Sequence, residues 1–218
     1  MKVYVVTGPN EVRGIYETWA ECKEAVSGIP GARYQAVDNR SKAEAMLSGS
    51  GVTLPPGSYA FTDGNSAGGV GIVFVEQDEE GIRSATEVST SVEEVFVGAG
   101  IPGLESVSAV REALRALRNV LAELAGLYHV LGRVPPGSEH AIVHDYEGVA
   151  AWLEGRWKTK DPVVEAILGA CRALLRDRRL TLTFQHQRGH QSTWAGRDDF
   201  AYWNARADAL ATEAVGSS

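Results

Sequence analysis

Only two cysteines, Cys22 and Cys171, occur in 218 residues. They are too few and too far apart for a disulfide framework, so free thiols in a reducing cytosol are expected. No apolar run approaches the roughly 20 residues that span a bilayer. The N-terminal run over residues 3–6 is also too short for a signal peptide, so a cytoplasmic protein without a membrane partner is expected. An excess of positive charge is missing as well. A net charge of −7 excludes a protein that coats nucleic acid by charge alone. It leaves room for an enzyme that gathers carboxylates in a site and needs only local basic contacts. Residues 1–48 carry six basic and six acidic side chains, so the whole negative excess belongs to the remainder. What is present is an ordinary globular composition, 44% hydrophobic and 22% charged, with material for one large domain or two modest ones.

The pattern divides the chain. Residues 2–6 alternate like a strand, 13–16 read as a second, and Thr18 with Glu21 makes a capping box for a helix over 19–26. A third strand over 33–37 and a helix over 42–47 complete a small ββαβα unit, assigned to residues 1–48. Ser48-Gly49-Ser50-Gly51 and Pro55-Pro56-Gly57 place a linker at 49–57, flexible and then stiffer. The second domain, 58–214, opens with an antiparallel meander over 59–63, 70–76 and 82–89, followed by a loop over 92–102. From about Ser106 apolar residues recur at helical spacing, through Val110 to Val130, and predict one long buried helix. A strand over 140–145, helices over 146–154 and 162–177, a strand over 180–186 and a helix over 200–214 follow. The fold class is α/β: a mixed five-stranded sheet flanked by helices, preceded by the small α+β domain.

Chemistry concentrates at element ends. Tyr59-Ala60-Phe61-Thr62-Asp63-Gly64-Asn65 is a β-branched and aromatic run that ends in a carboxylate, with Gly64 free to turn the chain away. Asp-Gly is also the commonest hairpin dipeptide, so this stretch alone decides nothing. Asp145 closes the fourth strand, Glu123 interrupts the apolar face of the long helix, and Asp208 sits among alanines on the last. Each carboxylate taken singly is more readily a cap, a salt-bridge partner or a solvated group. Four that converge would be costly to bury unpaired, and hard divalent cations neutralise such a group.

With these segments on view, the chain resembles ribonuclease H type 1. The resemblance is carried in order by Asp63-Gly64-Asn65, Arg118-Asn119-Val120-Leu121-Ala122-Glu123, His144-Asp145-Tyr146-Glu147-Gly148 with Trp152, Gly155-Arg156-Trp157-Lys158, Gly189-His190 and Asn204-Ala205-Arg206-Ala207-Asp208. Residues 1–48 are similar to the viroplasmin-like hybrid-binding domain that often precedes this nuclease, through Tyr4, Trp19, Arg33 and Tyr34.

The resemblance implies endonucleolytic hydrolysis of the RNA strand of RNA/DNA hybrids, leaving 5′-phosphate and 3′-hydroxyl ends. It implies two Mg²⁺ ions, for which Mn²⁺ substitutes, on Asp63, Glu123, Asp145 and Asp208. It implies no small-molecule cofactor and a monomer. His190 matches a histidine that assists release. Asn119 matches a position that reads the 2′-hydroxyl, and Asn65, Asn204, Arg156, Trp157 and Lys158 fall on substrate-binding positions. For Trp157 and its neighbours a solvated loop anchored on the core is nearly as good a reading, and the run from Arg172 to Arg179 reads as a solvated helix end. His129, His140, His144 and His186 read as structural or surface residues. The chain departs from the family at Ala205, where a glutamate is common, and at Gln35-Ala36, where paired lysines are common. The tyrosines and Trp19 of the first unit can equally be its small core. A non-catalytic hybrid-binding scaffold and a DNA-acting nuclease of the same superfold are the competing functions.

Overall fold

The structure is a computed structural model and describes residues 2–8, 12–29, 33–40, 43, 54–187 and 199–216. Contacts divide the chain into two compact units, Met1–Thr53 with Gln191–Tyr202, and Leu54–His190 with Trp203–Ser218.

The first unit is built on a three-stranded antiparallel sheet in the order β2-β1-β3: β1 (Val3–Gly8), β2 (Gly14–Tyr16) and β3 (Arg33–Val37). Helix α1 (Trp19–Val26) starts as its sequence requires. Thr18 Oγ1 accepts from the Glu21 N–H, and Glu21 Oε2 accepts from the Thr18 N–H at 3.0 Å, which satisfies two donors the helix itself leaves free. Val3, Val5, Val37 and Ala43 form the small core with Ile15. The expected helix over 42–47 lies outside the described residues apart from Ala43.

The second unit is the expected mixed sheet, in the order β6-β5-β4-β7-β8. Strands β4 (Gly57–Gly64), β5 (Gly69–Asp78) and β6 (Gly81–Ser91) form the antiparallel meander, while β7 (Glu139–His144) and β8 (Thr181–His186) run parallel to β4. Helices α5 (Gly148–Leu153), α6 (Pro162–Arg178) and α7 (Asp199–Gly216) fall close to their predicted positions. The Asp161 side chain caps α6, and Pro162 sits in its first turn, where no donor is lost.

Two expectations fail between β6 and β7. The predicted loop over 92–102 begins with a short helix, α2 (Val92–Phe96), nucleated by a capping box between Ser91 and Glu94 that periodicity over a five-residue helix cannot reveal. The single long helix is two, α3 (Val107–Leu117) and α4 (Asn119–Arg133), broken at Arg118 with φ 55° and ψ −130°. No glycine or proline marks the break, and the apolar spacing runs on across it because both helices bury one face in the same core. Phe96, Ile101, Leu104, Val110 and Ala113 belong to that core together with Leu121, Leu124 and Leu127 of α4.

Candidate metal centre

Strand register brings the first two carboxylates together. β4 and β7 are parallel, with Phe61 opposite Val143. Asp63 and Asp145 each stand two residues beyond that pair, so the register brings them to the same end of the two strands, Asp63 still within β4 and Asp145 just past β7. Glu123 arrives from α4, and Gly64 allows it to. A Cβ on Gly64 would lie 2.5 Å from the carbonyl carbon of Ala122 and 2.5 Å from the amide nitrogen of Glu123. Gly64 therefore does not turn the chain, as the sequence suggested. It is the last residue of β4 and its φ is not positive; what it supplies is the absence of a side chain beneath α4. The turn itself is made by Asn65 to Gly68. Asn65 Oδ1 accepts from the Ala67 and Gly69 N–H groups at 3.0 Å, and Gly68 takes the left-handed conformation at φ 93°.

Asp208 comes from α7, which lies against the sheet by the same device. A Cβ on Gly71, the residue paired with Asp63, would fall 1.9 Å from the Ala207 carbonyl oxygen, and one on Gly69 would fall 1.9 Å from that of Ala211. Four polar contacts fix the helix there. Asn65 Nδ2 donates to the Ala211 carbonyl at 2.8 Å, and Ser89 Oγ donates to that of Leu210 at 2.8 Å. Arg206 places its fork on both carboxylate oxygens of Glu87 at 2.8 and 2.7 Å, and its bond to Glu213 at 2.9 Å stays within α7.

The resulting electrostatics are unfavourable without a counter-charge. One carboxylate oxygen each of Asp63, Glu123 and Asp145 lie within 4.8 Å of one another. Glu123 is 2% exposed, and its Oε2 is buried without a hydrogen-bond partner. Burial and then the charges of Asp63 and Asp145 push Glu123 well above the ordinary glutamate range. Asp63 is pushed up to about 7 by burial, then by the neighbouring charges of Asp145 and Asp208. Asp208 is thus close enough to act on Asp63, although it stands outside the group of three. Mutually repelling carboxylates at the end of a sheet, one of them with an unpartnered buried oxygen, fit a hard divalent cation, which supplies the missing charge and takes oxygen ligands.

Around this centre Asn119 is exposed at the first position of α4. Asn204 is 4% exposed, with Oδ1 buried and unpartnered, so its side chain faces the interior of the unit. Arg156 makes exposed ion pairs with Glu154 at 2.6 Å and Glu147 at 3.7 Å. Trp157 is 44% exposed and stands edge-on to Trp152, with ring centroids 6.0 Å apart. Together with Lys158, Thr159 and Arg172 these two rings line an open concavity of about 460 Å³. His190 lies outside the described residues. In the first unit Trp19 stands between Tyr4 and Tyr34, with centroids 5.4 and 5.1 Å away, and Trp19 and Tyr34 are 42% and 46% exposed. These rings form a surface row and not the small core; Arg33 opens β3 beside Tyr34.

The sequence alone marks His144 and His186 as structural or surface residues, and the structure buries the first and exposes the second. His144 is 1% exposed and held below the usual histidine range by burial. Its Nδ1 lies 3.0 Å from the Tyr146 carbonyl, and His186 Nε2 lies 2.9 Å from that of Asp145. Their adjacency to Asp145 in the motif and in the next strand was the available signal.

Residues 2–47 match the family described as the ribonuclease H1 N-terminal domain. No curated protein matches the chain. Among solved structures, ribonuclease H1 from the halophilic archaeon Halobacterium salinarum NRC-1 is 20% identical, with a TM-score of 0.45, covering 74% of this chain and 98% of that one. LC11 ribonuclease H1, isolated from compost by a metagenomic approach, is 22% identical, with a TM-score of 0.46 and coverage of 74% and 96%. The same compost enzyme in complex with an RNA/DNA hybrid is 21% identical, with a TM-score of 0.45 and coverage of 73% and 97%.

Proposed function

We propose that this protein is an endoribonuclease that hydrolyses the RNA strand of RNA/DNA hybrids, leaving 5′-phosphate and 3′-hydroxyl ends. The observation that carries the reading is the group of three carboxylate oxygens within 4.8 Å, with Asp208 acting on it from α7. The match of residues 2–47 to a domain named for ribonuclease H1 supports the same substrate.

In this reading Asp63, Glu123, Asp145 and Asp208 hold two Mg²⁺ ions, or Mn²⁺ in their place. Bound there, divalent cations lower the pKa of a water nucleophile and neutralise charge on the leaving 3′ oxygen. The chain's own part is to position. Asn119, exposed one helical turn before Glu123, presents its amide to the 2′-hydroxyl that separates RNA from DNA. Asn65 has one amide hydrogen left after its bond to Ala211, and Asn204 backs the site from within α7. Arg156, Trp157 and Lys158 meet the sugar-phosphate backbone of the DNA strand. His190 assists product release. Residues 1–48 form a hybrid-binding domain through Tyr4, Trp19, Arg33 and Tyr34, 49–57 a linker, and 58–214 the catalytic domain of a cytoplasmic monomer without a small-molecule cofactor.

The test is cleavage of a strand-labelled RNA/DNA hybrid in Mg²⁺, alongside RNA/RNA and DNA/DNA duplexes. RNA-strand cutting that is confined to the hybrid and lost in Asp63→Asn is the expected result. Cutting of the DNA duplex, or none of any substrate, contradicts the reading.

A further inference from the structure

Asp145 is the first residue beyond β7, so no sheet ladder sets its direction. Its backbone is held in another way. Three successive carbonyls each have a donor on the β8 side or on β7 itself. The His144 carbonyl accepts from the Gln187 N–H at 2.8 Å. The Asp145 carbonyl faces His186 Nε2 at 2.9 Å, and the Tyr146 carbonyl faces His144 Nδ1 at 3.0 Å. Carbonyl oxygens only accept, so each of these ring nitrogens must carry its hydrogen. The two imidazoles are a register pair of the β7–β8 ladder, and their rings meet edge to face with centroids 6.0 Å apart. Both donors therefore stand on paired strands and not on mobile loops. The next turn is equally fixed. A Cβ on Gly148 would strike the Tyr146 ring at 2.4 Å, so that ring lies directly over the Gly148 backbone.

With its carbonyl tied towards β8, Asp145 has its carboxylate left to face Asp63 and Glu123, where one of its oxygens is found. We propose that His186, seconded by His144, is a positioning residue that aims the Asp145 carboxylate into the cation site through the Asp145 and Tyr146 carbonyls. The assignment rests on Asp145 being a cation ligand, as in the proposed function. His186 touches neither cation nor substrate in this scheme. A side chain of the same bulk without a donor leaves the fold in place and lets Asp145 swing. A glutamine, which keeps an N–H at similar reach, restores the tie.

The experiment is calorimetric titration of Mn²⁺ into the full chain and into His186→Phe and His186→Gln, with hybrid cleavage followed in parallel. His186→Phe should bind Mn²⁺ about tenfold more weakly and lose kcat by a similar factor while KM for the hybrid stays unchanged. His186→Gln should recover both. A folded His186→Phe with wild-type Mn²⁺ affinity overturns the assignment. Should the wild type bind Mn²⁺ and cut no hybrid, the nuclease reading falls, and the Mn²⁺ affinities still decide the role of His186. A wild type that binds no Mn²⁺ overturns both. Independently of how any variant folds, nitrogen NMR of the wild-type protein at alkaline pH should find the imidazole hydrogen on Nε2 of His186 and on Nδ1 of His144. The opposite tautomer at His186 overturns the assignment.

Discussion

Asp63 and Glu123 bring carboxylate oxygens within 4.8 Å of each other although they approach from opposite faces of one sheet. Asp63 lies on the face of β4 that α7 covers at Gly71, and Glu123 descends from α4 on the face that Gly64 leaves open. The contact exists because two glycines let two helices touch the sheet at its end.

Adding a methyl group at that point should therefore be costly. Gly64→Ala puts a Cβ into the backbone of Ala122 and Glu123, which cannot yield as a flexible side-chain tip does. The expected loss is about 1–3 kcal/mol of stability, read by urea unfolding. The Mn²⁺ affinity should fall as well, because Glu123 moves with α4. Unchanged stability would mean that the helix does not rest on Gly64.

The metal-free site should respond to pH through Asp63, which titrates at about 7 in the fold against an ordinary 3.8. The folded state keeps this proton where the unfolded chain has released it. The contribution of Asp63 is thus fully favourable below about pH 4 and is lost as pH rises through about 7. Asp63→Asn removes the penalty. It should be more stable than the metal-free wild type at pH 8, by on the order of 1–3 kcal/mol, with the difference shrinking towards pH 4. Unfolding at a series of pH values in chelator checks this, and a difference that does not vary with pH contradicts it. Added Mg²⁺ should reverse the order at pH 8 by binding the folded wild type.

Arg118 holds a backbone conformation that suits glycine, at φ 55° and ψ −130°. Arg118→Gly should raise stability by about 1 kcal/mol, the strain relieved less the entropy a glycine adds to the unfolded chain. Thermal melts of the two proteins decide the point, and a lower melting temperature in the variant would show that the arginine side chain contributes more than its backbone costs.

Much of this was legible in the sequence. Strand alternation, the Thr18–Glu21 box and the proline at the head of α6 each name a local structure, and of the four acids two close strands while two interrupt the apolar and small residues of helices. The break at Arg118 was not legible, because helix periodicity is blind to a kink that keeps both halves on one core. Nor was the purpose of Gly64, since a glycine after an aspartate reads as a turn until the helix above it is known. The histidine pair was hidden for a related reason: its hydrogen bonds run from side chains to carbonyls, which residue types do not disclose.

Trp19 and Tyr34 are exposed and Tyr4 beside them is half-buried, which leads to a prediction for the first unit. Trp19→Ala in the full chain should weaken hybrid binding by about 1–3 kcal/mol and leave kcat at saturating hybrid unchanged. A gel-shift titration with a parallel turnover assay separates the two quantities, and wild-type binding by the variant would remove the row from substrate capture.

Asp63, Glu123 and Asp145, with Asp208 beside them, should act as one cation site. A crystal of the full chain grown with Mn²⁺ and measured at the manganese absorption edge decides this. Anomalous peaks should lie within bonding distance of the Asp63, Glu123 and Asp145 carboxylates; no peak there at saturating Mn²⁺, or one held by other residues alone, removes the cation site.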